Sequence, residues 1–246
     1  MLTGRCAFSS CIVSILFTLV LVGCAPRPAR TELVAPHAFE QLWIVAPLLN
    51  ESGISVVDTA RVADMITQEL QQVRGINALP VNRALMAMDQ LGINTVSTEA
   101  DARALMNVLD VDGLVVGTVT AYDPYPPLTL GVALQLYART TTDEASIVDP
   151  VSITRVSQGE VALGMRRSIA PAAQASEIFS ANDQQTLASL HQYADSRYVP
   201  DNAYGPDIYL VSMDLYTQFV SHRLIRSLLE SEQVRLSPMV ANEDTR

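Results

Sequence analysis

The 246-residue chain has no lysine: arginine supplies all 16 of its basic side chains, against 26 acidic ones, for a formal net charge of −10. An acidic balance of that size argues against nucleic acid as a partner and against a basic patch for anionic lipid. The missing lysine reads as coding bias, an Arg-rich and Lys-poor genome, and not as chemistry. Cysteine is almost as scarce. Cys6, Cys11 and Cys24 all fall within the first 24 residues, so nothing downstream offers a disulfide, a zinc cluster or a cysteine nucleophile. The histidines are His37, His191 and His222, too far apart in sequence to show metal-ligand spacing. The chain contains no GxSxG, no HExxH, no P-loop and no GxGxxG. No internal repeat is visible. An enzyme built on a familiar catalytic motif is therefore not expected, and neither is a cofactor or a metal.

What is present begins with the N-terminus. Arg5 is the only charge before residue 27, and residues 7–22 (AFSSCIVSILFTLVLV) are apolar apart from three serines and a threonine. A basic start, an apolar core and a small residue at the end describe a signal peptide. The run is short for a spanning helix, which needs roughly 20 apolar residues. Its ending, Leu21-Val22-Gly23-Cys24, resembles the lipobox of bacterial lipoproteins. That resemblance implies a diacylglyceryl group on the Cys24 sulfur, with cleavage leaving Cys24 as the new N-terminus. Acyl chains hold a soluble domain on a bilayer at about 0.8 kcal/mol per buried CH₂. An ordinary secretory signal with a chance cysteine, or an uncleaved anchor helix, are the alternatives. Loss of Arg5 with residues 1–23 takes the formal charge from −10 to −11. Ala25, in place of Asp, favours the outer membrane, with the domain facing the periplasm.

Residues 24–40 read as a lipidated cysteine and a proline-containing tether, 41–235 as one domain, and 236–246 as a disordered tail. Leu42–Leu49 is an apolar run suited to a doubly buried strand. Asp58 caps a helix over about 59–74 that Gly75 stops. Residues 76–80 form a short strand. Helices follow over about 81–91, with Leu85, Met88 and Leu91 inward, and over about 99–109, capped by Ser97 or Thr98, with Ala102, Leu105, Met106 and Leu109 inward. Leu114–Tyr122 reads as a second strong strand and Leu128–Tyr137 alternates with a period of two, and the two read as an antiparallel hairpin. Ser152–Ser157 and Glu160–Met165 are candidate short strands, and Ala170–Ser180 reads as loop. Asn182 or Asp183 caps a helix to about 194. A last helix, about 207–231, carries a stripe of Ile208, Val211, Leu215, Phe219, His222, Ile225 and Leu229. The fold class is α/β: a single sandwich of a mixed β-sheet with packed helices and a long C-terminal helix.

The order of "IVAPLLNESG", "RVADMITQEL", "LPVNRALMAMDQLG" and "LDVDGLVVGTVTAYDPY" resembles the periplasmic α/β domain of the curli-secretion-type (CsgG-like) lipoprotein family. The matching residues are Pro47–Asn50, Ala63–Leu70 and Asp112–Thr120, and the resemblance covers about 41–140. It implies a module for assembly or for binding envelope partners. The pore activity does not transfer, because no pair of long amphipathic hairpins for a membrane barrel stands out. Residues 128–163 are the only candidates, and soluble strands account for them.

Four further features invite comparison. His222 lies on the apolar stripe of the last helix and reads as a satisfied core histidine. His191, Tyr193, Asp195 and Arg197 suit surface pairs on one helix. Asp110 and Asp112 suit a turn better than a cation site. Arg197, Tyr198, Tyr204, Tyr209 and Tyr216 form a tyrosine- and arginine-rich group of the kind enriched in binding hot spots. They are the candidate partner surface. The expected function is that of a non-enzymatic outer-membrane lipoprotein acting in assembly, secretion or envelope organisation through protein contacts. A homo-oligomer would suit such a role. An activator of a cell-wall synthase is the first alternative, and an envelope hydrolase built from 140–180 is the second.

Overall fold

A computed structural model describes residues 32–140, 168–197 and 203–243. Six strands form one mixed sheet in the order β3-β1-β4-β5-β6, with β2 joined to β4. The strands are β1 (Gln41–Val45), β2 (Leu49–Asn50), β3 (Ile76–Leu79), β4 (Gly113–Asp123), β5 (Thr129–Thr140) and β6 (Ser168–Ser180). β1 runs parallel to β3 and β4, and β4, β5 and β6 are antiparallel neighbours. The apolar run at 42–49 is therefore two strands and not one. Beyond Val45 the chain leaves β1, and Leu49 and Asn50 rejoin the sheet beside Thr118 and Val119. The expected hairpin is present, with Leu128, Leu130, Val132, Leu134 and Leu136 all buried.

The helices lie on both faces of the sheet. α1 (Thr59–Leu70) and α5 (Met213–Glu243) cover one face, with α4 (Gln184–Arg197) joined to them in the same core. α2 (Val81–Leu91) and α3 (Glu99–Leu109) cover the β1 and β4 end of the other. Local chemistry sets their ends. The Asp58 carboxylate accepts from the Arg61 amide and caps α1. Thr98 and Asp101 form a capping box at the start of α3. The Asp183 carboxylate accepts from the Thr186 amide at 2.8 Å ahead of α4. Gly92 ends α2 in the left-handed conformation that a Cβ would strain. Gly113 has a different reason. A Cβ there would sit 2.7 Å from the Trp43 ring, so only glycine lets β1 and β4 pair at that point.

Four further expectations differ from what is found. Residues 170–180 are not loop but most of β6, paired to β5 from Thr140 to Thr129. Among the described residues β6 pairs only with β5, and a strand paired on one side tolerates a proline such as Pro171. A register shift at Leu136/Tyr137 takes up the irregularity beside it. In α2 the buried residues are Val81, Ala84, Ala87 and Met88, while Leu85 and Leu91 are exposed. The small side chains let α2 sit close, and the larger leucines are left outside. The last helix begins at Met213 and runs to Glu243; Gly205–Leu210 ahead of it is a 3-10 helix, which leaves Val211 exposed. Finally, Leu33–Ala35, placed in the tether by composition, lies against the domain beside Arg74. The strand candidates at 152–157 and 160–165 lie outside the described residues.

Candidate functional site

The densest group of titratable side chains sits where α1, α4 and α5 meet. Val62 and Ile66 in α1, and Val73 just beyond its end, face the core. Glu69 falls between them at helical spacing, three residues after Ile66, so its carboxylate is driven inward and is 5% exposed. α4 presents Tyr193 and Arg197, one turn apart and on one face. α5 presents His222 from its apolar stripe.

All three converge on Glu69. The Tyr193 hydroxyl donates to Glu69 Oε1 at 2.9 Å, and Arg197 Nη2 donates to Oε2 at 3.1 Å. His222 Nδ1 lies 3.3 Å from the same Oε2. Donation to Glu69 requires the proton on Nδ1, so the 3.5 Å approach of Arg197 Nη2 to that atom is a close contact between two donors. The Arg197 guanidinium also lies 3.9 Å above the Tyr193 ring. Tyr193 packs edge-on against Tyr209 and Phe219.

The electrostatics follow from this geometry. Burial alone pushes the Glu69 carboxyl up. The bond from His222, the Arg197 charge and the Tyr193 hydroxyl outweigh it and hold Glu69 below its ordinary value. Burial, and then the Glu69 charge, push the Tyr193 phenol well above its usual range. Glu69 is thus an anion with both oxygens engaged, and Tyr193 is a fixed donor. Chemically this arrangement locks three helices together. A cavity of about 350 Å³ opens beside it, lined by Glu32, Leu33, Gln72 and Val73 as well as Glu69, Arg197 and His222.

The candidate partner surface is distributed differently. Arg197 belongs to the Glu69 cluster. Tyr209 is buried against Tyr193, and Tyr216 is fully buried, with burial pushing its phenol up and no partner for its hydroxyl. Tyr204 is 63% exposed. Tyr198 lies outside the described residues, as do Leu21, Val22, Gly23 and Cys24. The described tyrosines therefore share no single exposed patch, because the faces carrying Tyr209 and Tyr216 turn to the core. His222 is buried and partnered, as its stripe position implied. Tyr193 and Arg197 make tertiary contacts in place of the surface pairs expected for them. The reasoning from sequence missed Glu69, and its place among Val62, Ile66 and Val73 was the available signal.

Asp110 and Asp112 serve the turn. Asp110 closes α3 with a positive φ of 49°, and Asp112 Oδ2 accepts from the Leu42 amide at 3.0 Å. Arg139 secures the same turn by donating to the Val111 and Met106 carbonyls. Among the described residues no group of three or more His, Cys, Asp or Glu side chains is placed to hold a metal ion. Among them, too, no helix is long and apolar enough to cross a membrane.

No protein-family model matches the chain, and no curated protein sequence matches it. Among solved structures it is similar to lipoprotein GNA1162 from Neisseria meningitidis, at 17% identity, covering 63% of this chain and 98% of that one with a TM-score of 0.34. The LpoB C-terminal domain from Salmonella enterica is 14% identical over 43% of this chain and 74% of its own, also at 0.34. A PelC dodecamer from Paraburkholderia phytofirmans is 11% identical over 85% and 96%, again at 0.34. At these identities and scores the functional reading rests on the chain's own residues.

Proposed function

We propose that this chain is a lipid-anchored envelope protein, held on the periplasmic face of the outer membrane through Cys24. In this reading it acts by protein contacts in assembly, secretion or envelope organisation, without turnover of a substrate. The observation that carries the proposal is the Leu21-Val22-Gly23-Cys24 motif standing only nine residues ahead of Leu33, where the chain already touches the folded domain. A lipid at Cys24 and a domain beginning at residue 33 make a membrane-proximal binding module.

The Glu69 cluster suits a structural role: its carboxylate, guanidinium and phenol are engaged with one another, and it ties α1, α4 and α5 into one unit. The order β1, β2, α1, β3, α2, α3, β4, β5 supports kinship of residues 41–140 with the curli-secretion-type periplasmic domain.

Cross-linking in intact cells, followed by identification of the partners, tests the reading. Periplasmic or outer-membrane proteins, or further copies of this chain, are the expected products. Turnover of an envelope substrate by the purified domain, or recovery of cytoplasmic proteins alone, would overturn it.

A further inference from the structure

The stretch between the lipid site and the domain is not a plain linker. Ala35 donates its amide to the Arg74 carbonyl at 2.9 Å, and the Arg74 amide donates to the Leu33 carbonyl at 2.9 Å. Ala35 is buried, and its Cβ would lie 3.4 Å from a Cβ built on Gly75. Gly75 has a positive φ of 90°, a backbone conformation that glycine adopts without strain, and it follows Arg74 in the turn on which the arm rests. Two residues on, His37 sets its ring edge-on to Trp43, with 5.9 Å between centroids. Its Nε2 lies 3.9 Å from Oε1 of Glu232, which is itself buried and held by Arg235 at 2.7 Å. The arm thus touches the α1–β3 turn, β1 and the far part of α5.

We infer that residues 33–40 form a releasable strap that sets how far the domain can stand from the membrane. This rests on the proposal that Cys24 carries lipid. With the strap docked, the span from Cys24 to Leu33 can reach at most about 30 Å at roughly 3.3–3.6 Å per residue. With the strap released as far as Gln41, the same reckoning gives about 55–60 Å. The contacts suit release. They comprise two backbone bonds, the buried Ala35 side chain, the partly buried Leu33 packed on the core, and the His37 ring against Trp43 with Glu232 3.9 Å away, and none belongs to the sheet ladder. Burial holds His37 below its ordinary value, so it seats against Trp43 as a neutral ring and no strong ion pair has to be broken. A domain that must first be retained and then reach a partner across the periplasm gains about a doubling of range from this one step.

The test uses the full-length lipoprotein reconstituted in vesicles carrying a dansyl lipid. Trp43, the only tryptophan in the chain, is the energy donor, with dye-free vesicles as the emission reference. Hydrogen exchange at the Arg74 amide reads docking independently. Ala35→Pro removes one strap donor. An eight-residue Gly/Ser insertion after Ala29 lengthens the linker and leaves the strap intact.

The expected result is a protected Arg74 amide and strong transfer in the wild type. Ala35→Pro should exchange at Arg74 at least tenfold faster, and both variants should lose transfer. Fast Arg74 exchange in the wild type overturns the strap. So does unchanged transfer in Ala35→Pro while the insertion lowers it. Protein that fails to float with the vesicles refutes the anchor, and with it the reach, whatever Arg74 shows.

Discussion

Glu69→Ala removes the acceptor on which Tyr193, Arg197 and His222 converge. Arg197 is then left with 12% side-chain exposure and no counter-charge, and Tyr193 loses its acceptor. Breaking a buried pair from one side costs about 3–5 kcal/mol, because the remaining charge stays desolvated. For a domain of this length, roughly 2–4 °C of Tm accompany each kcal/mol, so a fall of about 6–20 °C is expected. Thermal unfolding followed by circular dichroism at pH 7 reads it.

Acid titration adds a second readout. The Glu69 carboxyl is held low in the fold, so its contribution is fully present above the unfolded value, roughly 4.3. That contribution fades as pH falls through the folded value. Glu69→Gln should therefore flatten the loss of stability below about pH 4 while keeping an acceptor for Tyr193. Glu69→Ala combined with Arg197→Ala should cost less than the two single changes added together, by about 1 kcal/mol or more. A loss under about 1 kcal/mol for Glu69→Ala, or strict additivity with Arg197→Ala, would refute the claim that this cluster holds the three helices together.

Gly113→Ala places a methyl 2.7 Å from the Trp43 ring in a full core, and should cost about 1–3 kcal/mol with a shift in tryptophan emission; unchanged emission and Tm would mean that β1 and β4 can part freely. Tyr216→Phe deletes a buried hydroxyl that has no partner, so stability should hold or rise by up to about 1 kcal/mol, whereas Tyr193→Phe should fall by about 1–3 kcal/mol; chemical denaturation of both separates the two cases.

Parts of this fold were legible because burial leaves a periodic trace. β4 and β5 read as strands from a continuous and an alternating apolar pattern, and α1 and α3 announced themselves by Asp58 and Thr98. β6 left no such trace. Its residues are mostly small, it contains Pro171, and its strand character comes from pairing with β5 and not from propensity. In α2 Met88 is buried as expected, but Leu85 and Leu91 were placed inward because large leucines weigh more in a pattern than the alanines that allow close packing. At the candidate site only His222 was readable, as a polar residue on an apolar stripe. Glu69 meets Tyr193 and Arg197 across separations of 124 and 128 residues, which no local pattern encodes. The docked strap was hidden for a related reason. Three prolines and weak periodicity in 25–40 describe a linker, while Ala35 and His37 owe their places to Arg74 and Trp43.

The central claim is the anchor, and intact-mass analysis with membrane fractionation of the wild type beside Cys24→Ala tests it most directly. The account predicts a wild-type chain that starts at Cys24, carries acyl mass and pellets with the outer membrane, beside a variant that does neither. Equal masses and equal distribution of the two would contradict it.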